Sequence, residues 1–306
     1  MPLRVSIVQY LNTAPLVRGF THGPLRGKYQ LSFTVPSQCA DALRTGAADV
    51  AIIPAIEYQR IDDLVVLPNL SIASKKSVRS LLLVSKKPIE EVTRIALDRS
   101  SRSTQALVCI LCAKRWGIAP GCFEADPELP AMLQAADAAL LIGDPALRLA
   151  LDAESHGTRD AAGRVRCPGA IAGRPGGSAL FVYDVVEQWL ALARLPAVLA
   201  LWAAREEAAT PEVVQDFQQS LGFGLEHLDE ISVEAAQALG LPMAKLRRYL
   251  EENIDYTLDN ENLRGLATYF SYAAELGIIP EVKRIVRAAD GGAPGLHSDF
   301  FAARRH

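Results

Sequence analysis

The chain has 306 residues, a formal net charge of −3, 50% hydrophobic and 22% charged residues. That length supports two lobes with sizeable cores, and the composition is that of a globular rather than a disordered chain. A balance so near neutrality gives no global electrostatic case for nucleic acid or an anionic membrane, so a bound anion must be held by local groups.

The N-terminus, MPLRVSIVQY, enters a strand almost at once, without the apolar core and cleavage site of a secretory signal. The longest apolar runs, such as 195–204, are too short to span a bilayer. The expectation is a soluble, cytoplasmic protein. Five cysteines, Cys39, Cys109, Cys112, Cys122 and Cys167, are an odd count that argues against a disulfide framework. Cys109 and Cys112 form a C-x-x-C, but inside the apolar helical pattern ALVCILCAKRW, with no second pair and no nearby histidine at zinc spacing. They read as buried thiols, and no metal is expected.

In chain order, RVSIV reads as a strand that breaks into the polar corner Tyr10-Leu11-Asn12-Thr13, and a helix starts near Ala14 with Pro15 in its first turn. LSFTV is the next strand, SQCADALRTG a helix capped by Ser37 and closed by Gly46, and DVAII a third strand. This β-α-β-α-β rhythm predicts a mostly parallel sheet with right-handed crossovers. A second set follows: strands RSLLLVS and RIALD, a helix over 103–116, and the strand AALLI. The glycine-rich CPGAIAGRPGGS reads as loop, 184–195 as an amphipathic helix and PAVLALWAAR as a buried strand. From Thr210 the pattern is helical, and the end of the chain is without pattern. If the strands near 80–86 and 197–204 both cross between lobes, the middle of the chain is a lobe inserted into the first, with a cleft between them.

Four polar corners at strand ends carry groups capable of chemistry: 10–13; Ser77 to Ser80, containing Arg79; 98–107, containing Ser101, Arg102, Ser103 and Thr104; and 142–147, containing Gly143 and Asp144. The third leads into a helix N-terminus, which accepts carboxylates or phosphates on its free N–H groups. The alternative is that Ser101 or Ser103 simply caps that helix while Arg102 points to water. Arg79 equally reads as a surface arginine paired to a helix, Asp144 as a capping aspartate and Glu57 as a first-turn acid. None of the five histidines falls in these corners, and there is no nucleophile elbow, P-loop or dinucleotide fingerprint. Residue patterns alone lead to a cleft for a small anion.

The segments SIVQYLNTAPL, PSQCADALRTGAADVAIIPAIEY, KSVRSLLLVSKKPIEEVTRIALDRSSRST, LLIGDPAL, LPAVLALWAAR and YLEENIDYTLDNENLRGLATYF, taken in order, resemble the chorismate dehydratases of the futalosine route to menaquinone. The resemblance covers roughly residues 4–280. It implies an α/β, two-lobed fold like a type II periplasmic binding protein, with mixed, mostly parallel sheets, two hinge strands and a central cleft. Residues 1–85 and 199–290 are then lobe 1, 86–198 an inserted lobe 2, and 291–306 a tail. Two departures stand out: the family's Ser-Arg-Thr-Ser corner is Ser101-Arg102-Ser103-Thr104, and its Thr-Gly before the second crossing strand is Ala193-Arg194.

The implied reaction is loss of water from chorismate to give 3-[(1-carboxyvinyl)oxy]benzoate, with no cofactor. Chorismate is the expected partner, nucleic acid and membrane are not, and a homodimer is allowed. On this resemblance Asn12 contacts the departing hydroxyl or orients a carboxylate, with Ser80 as the facing catalytic contact and Arg79 beside it. Ser101, Arg102, Ser103 and Thr104 hold a carboxylate from lobe 2, Tyr10 walls the ring, and Thr13, Gly143 and Asp144 complete the site. The competing readings are an enzyme like 1,4-dihydroxy-6-naphthoate synthase of the same pathway and a non-enzymatic cytoplasmic anion-binding protein.

Overall fold

The computed structural model describes residues 2–159, 165–168 and 179–289; of the loop expected over 167–178, Cys167 ends a short strand and 169–178 lie outside the described residues, as does the tail expected over 291–306. β1 (Arg4–Val8), α1 (Ala14–Thr21), β2 (Gln30–Thr34), α2 (Pro36–Arg44), β3 (Val50–Pro54) and β4 (Leu64–Ser74) come first. They are followed by β5 (Leu81–Ser85), β6 (Arg94–Asp98), α3 (Arg102–Leu111), β7 (Gly121–Ala125), α4 (Leu129–Ala135), β8 (Ala138–Ile142), α5 (Gly143–His156), β9 (Thr158–Arg159), β10 (Val165–Cys167), β11 (Leu180–Asp184) and α6 (Val185–Ala193). The chain then returns through β12 (Ala197–Arg205) to α7 (Pro211–Glu226), α8 (Leu228–Leu239), α9 (Met243–Arg248) and α10 (Asn260–Glu275).

Two mixed sheets result, in the orders β2-β1-β3-β12-β4 and β7-β6-β8-β5-β11-β10-β9. Parallel pairing is confined to β1 with β2 and β3, and to β6 with β7 and β8. The crossing strand β12 runs antiparallel between β3 and β4, and β5 runs antiparallel between β8 and β11. Antiparallel neighbours are thus more extensive than the β-α-β rhythm suggested, because each strand that changes lobe enters its sheet from the opposite end. β3, β5 and β8 are buried at every residue, as strands covered on both faces must be. β5 pairs in the second sheet, so the chain first changes sheet between Ser74 and Leu81, before the expected boundary at 85.

Several elements escape the sequence pattern. β4 is eleven residues long and contains Pro68, which argues against a central strand. The proline is accommodated where the register with β12 shifts and Asn69 takes φ 60°, an irregularity that interrupts the ladder. β7 and β11 are also unforeseen, as is α4. α2 begins at Pro36 with Val35 before it, and Ser37 is not its cap: the Ser37 N–H donates instead to the Ser100 carbonyl of the other lobe at 2.9 Å. The helix expected over 103–116 starts at Arg102 and widens to a π-type turn at Cys112–Trp116. Of the two thiols read as buried, Cys112 is, whereas Cys109 is half-buried; Cys39 and Cys167 are also buried and Cys122 is exposed. No described helix is long and apolar enough to cross a membrane.

Candidate active site

The strand β1 delivers the first corner. Beyond Val8 the chain tightens into a 3-10 turn, Leu11–Thr13, closed by the Thr13 N–H on the Tyr10 carbonyl at 3.0 Å. Leu11 and Thr13 are buried, and Asn12 between them is half-buried. The Thr13 hydroxyl donates to Asn12 Oδ1 at 3.4 Å. Tyr249, from the segment after α9, is almost completely buried.

The fourth corner meets the first from the other lobe. Gly143 takes φ 68°, a left-handed conformation that glycine adopts without strain, and a Cβ there would lie 2.7 Å from the Tyr10 ring. Its N–H donates to the Ser80 carbonyl at 2.8 Å. The Asp144 carboxylate, expected to cap its own helix, does not; it accepts the Leu11 N–H across the cleft at 3.0 Å. Burial raises the Asp144 pKa from the ordinary aspartate value, against the lowering effect of the Leu11 bond.

Ser80 is buried and its Oγ accepts the Tyr249 hydroxyl proton at 2.9 Å. Arg79 stands apart from this group. Its guanidinium pairs with Glu154 of α5 at 3.0 Å, the surface reading rather than the substrate-binding one. Arg79 has φ 63°, and its N–H is fixed by the half-buried Asp184 carboxylate at 2.6 Å. Asp184 also caps α6 through the N–H groups of Val186 and Glu187.

The third corner is closed against lobe 1. Ser103 Oγ accepts the Ile56 N–H at 3.0 Å, and the Ser103 carbonyl accepts the Tyr269 hydroxyl at 2.9 Å. The hydroxyls of Ser101 and Thr104 lie 2.8 Å apart, and neither caps α3. Arg102 reaches Asp41 at 2.9 and 3.0 Å and the buried Glu57 at 3.1 Å, instead of pointing to water or to a ligand. Glu57 is therefore more than a first-turn acid: Arg44, Arg60 and Arg102 all bind it. Asp98, at the end of β6, is buried and accepts from the Ser100 N–H and hydroxyl and from the Ile142 N–H. Burial pushes its pKa up.

The structure thus brings Tyr10, Asn12, Thr13, Ser80, Gly143 and Asp144 together, with Ser100 beside the Tyr10 hydroxyl at 3.5 Å. Ser101, Ser103 and Thr104 form an adjoining group at the start of α3. Cross-lobe bonds seat the beginnings of α2, α3 and α5 at the same junction, and helix starts supply unpaired N–H groups that favour an anion. The described histidines lie elsewhere: His22 beside Arg18, His156 on the Asp152 carbonyl and His227 on the Phe223 carbonyl. Sequence reasoning missed Tyr249, Asp98 and Asp184. Tyr249 is 169 residues from Ser80 along the chain, and nothing local marks its hydroxyl as part of the cleft.

A family model described as menaquinone biosynthesis matches residues 3–275. A chorismate dehydratase of Thermus thermophilus is 30% identical over 282 residues, 90% of this chain and 96% of the relative. A solved structure from Archaeoglobus fulgidus superposes with a TM-score of 0.67 at 20% identity, covering 91% of this chain and 98% of the other. The periplasmic aliphatic sulphonate binding protein of Escherichia coli gives 0.57 at 17% identity, covering 94% and 95%. The two-lobed architecture is therefore that of periplasmic binding proteins.

Proposed function

The chain belongs to the menaquinone-biosynthesis family, and from that membership we propose that it is a hydro-lyase that removes water from chorismate to give 3-[(1-carboxyvinyl)oxy]benzoate, in the futalosine route. The observation that carries the reading is the meeting of the Tyr10–Thr13 corner with the Gly143–Asp144 corner, where Asp144 accepts the Leu11 N–H and the Gly143 N–H donates to the Ser80 carbonyl.

Chorismate carries two carboxylates, a hydroxyl at C4 and a hydrogen at C3. Losing the hydroxyl and that hydrogen makes the ring aromatic, which supplies a large driving force. The protein's task is then orientation and stabilisation of the leaving hydroxide by fixed dipoles. Asn12 and Ser80 are neutral groups suited to that work. The N–H groups at the start of α3, with the hydroxyls of Ser101, Ser103 and Thr104, hold a carboxylate through charge-assisted bonds. Tyr10, braced on Gly143, walls the ring. A substrate carboxylate takes the C3 proton, so no imidazole or free lysine is required at the junction. Thr13 orients Asn12, and Asp144 joins the lobes around the ligand rather than touching it.

The test is incubation of the purified protein with chorismate, following loss of the cyclohexadiene absorbance and the aromatic protons of the product by NMR. An aromatic product bearing the intact enolpyruvyl ether supports the reading. Chorismate recovered unchanged, or converted only to its rearrangement product, overturns it.

A further inference from the structure

We infer that Tyr249 is a positioning residue for this reaction, its hydroxyl fixing the orientation of the Ser80 hydroxyl at the hinge. The inference rests on the proposed dehydration and deepens it. A phenol has one proton to give and oxygen lone pairs to receive. Tyr249 gives its proton to Ser80 Oγ at 2.9 Å. Ser80, having accepted, retains its own proton, and that proton has only a long contact of 3.4 Å to the Val78 carbonyl. It is the proton of this pair most free to turn toward a ligand.

The segment that carries the phenol is built for such a role. Tyr249 begins a π-type turn, Tyr249–Asn253, and such irregular turns often occur at functional sites. Asn253 of the same turn donates from Nδ2 to the Ser77 carbonyl at 2.7 Å. The turn therefore grips the first crossing segment at Ser77 and at Ser80, the stretch where the chain passes between sheets. Complete burial holds the phenol proton in place, far above its ordinary titration. Its work is directional rather than acid–base.

Tyr249→Phe keeps the buried ring and removes only the hydroxyl. Assayed with chorismate on the full chain, it is expected to lower kcat about 30- to 100-fold with KM changed less than about threefold, since orientation of groups acting on the leaving hydroxide is lost. Because the hydroxyl acts through Ser80, Tyr249→Phe combined with Ser80→Ala is expected to be no more than about threefold slower than Ser80→Ala alone. A folded Tyr249→Phe with wild-type kcat, or losses that simply multiply in the double variant, overturns the inference while leaving the dehydration standing. A wild-type protein that leaves chorismate intact overturns both. Should Tyr249→Phe not fold, ring-fluorinated tyrosine at 249 keeps shape and hydroxyl: kcat that tracks hydroxyl acidity supports the inference, and kcat indifferent to it overturns it.

Discussion

The Asp144 carboxylate accepts the Leu11 N–H at 3.0 Å, and this bond joins the first turn of α5 in one lobe to the corner after β1 in the other. It forms only when the two lobes are apposed, so it contributes to closure around whatever the junction holds. Asp144→Ala is expected to raise KM for chorismate about tenfold, the loss of one bond to a charged acceptor in the closed state, worth about 1.5 kcal/mol. Asp144→Asn, which still offers an oxygen to Leu11, is expected to stay within about threefold. Steady-state kinetics on both variants checks it, and equal defects would count against a role in closure.

Asn12→Asp replaces the amide donor with a carboxylate. It removes the amide N–H and places charge near a doubly anionic substrate. The expected outcome is a loss in kcat of about 100-fold or more, comparable to removing one fixed dipole from a developing anion, in a protein that melts like wild type. Near-normal turnover by the folded variant would remove Asn12 from the mechanism.

Arg102 separates two roles cleanly. Its guanidinium is occupied by Asp41 and Glu57, so it braces the start of α3 against α2 rather than binding a carboxylate of the substrate. Arg102→Met is expected to lower stability by about 1–2 kcal/mol, since Glu57 keeps Arg44 and Arg60. In a chain of this size that is a fall in Tm of about 1.5–3 °C, readable by calorimetry. A much larger loss in substrate affinity than in stability would return Arg102 to the binding site.

Asp184 makes the hinge sensitive to pH. Burial pushes its pKa up to about 6 although the N–H groups of Arg79 and Glu187 oppose the shift. The folded protein therefore holds this proton more tightly than the unfolded chain. The stabilising contribution is present below about pH 4, the ordinary aspartate range, and is lost as pH rises to about 6. Relative to Asp184→Asn, wild-type stability is expected to fall by up to about 3 kcal/mol between pH 4 and pH 7 and to level off above it. Denaturation of both proteins across that range is the check; a constant difference would mean the carboxyl is ionised throughout.

Much of the architecture was legible in the chain itself. Alternating apolar runs and capped helices, with glycines at the ends, marked the lobe 1 strands and the second crossing strand, because local periodicity reports which face of an element is buried. The corner after β1 was legible too, since Asn12 and Thr13 followed by Pro15 can only be a break and a helix start. β4 was not, because its proline reads against a strand, and only its place at the edge of the sheet, with the shifted register against β12, accommodates it. Arg79 and Arg102 were misread for a different reason. A guanidinium near a helix start looks the same in sequence whether its partner is a ligand or Glu154, Asp41 and Glu57, which arrive from distant segments.

Order along the chain settled where polar corners occur and what chemistry they could offer, since turns, caps and strand ends depend on near neighbours. Which corners meet was decided by the apposition of two sheets and the return of the C-terminal segment. That return brings Tyr249 to Ser80, and the facing of the lobes brings Asp144 to Leu11. Burial then pushes up the pKa values of Asp144, Asp98 and Asp184. Desolvation depends on everything packed around a group, and that is a property of the folded whole rather than of any segment.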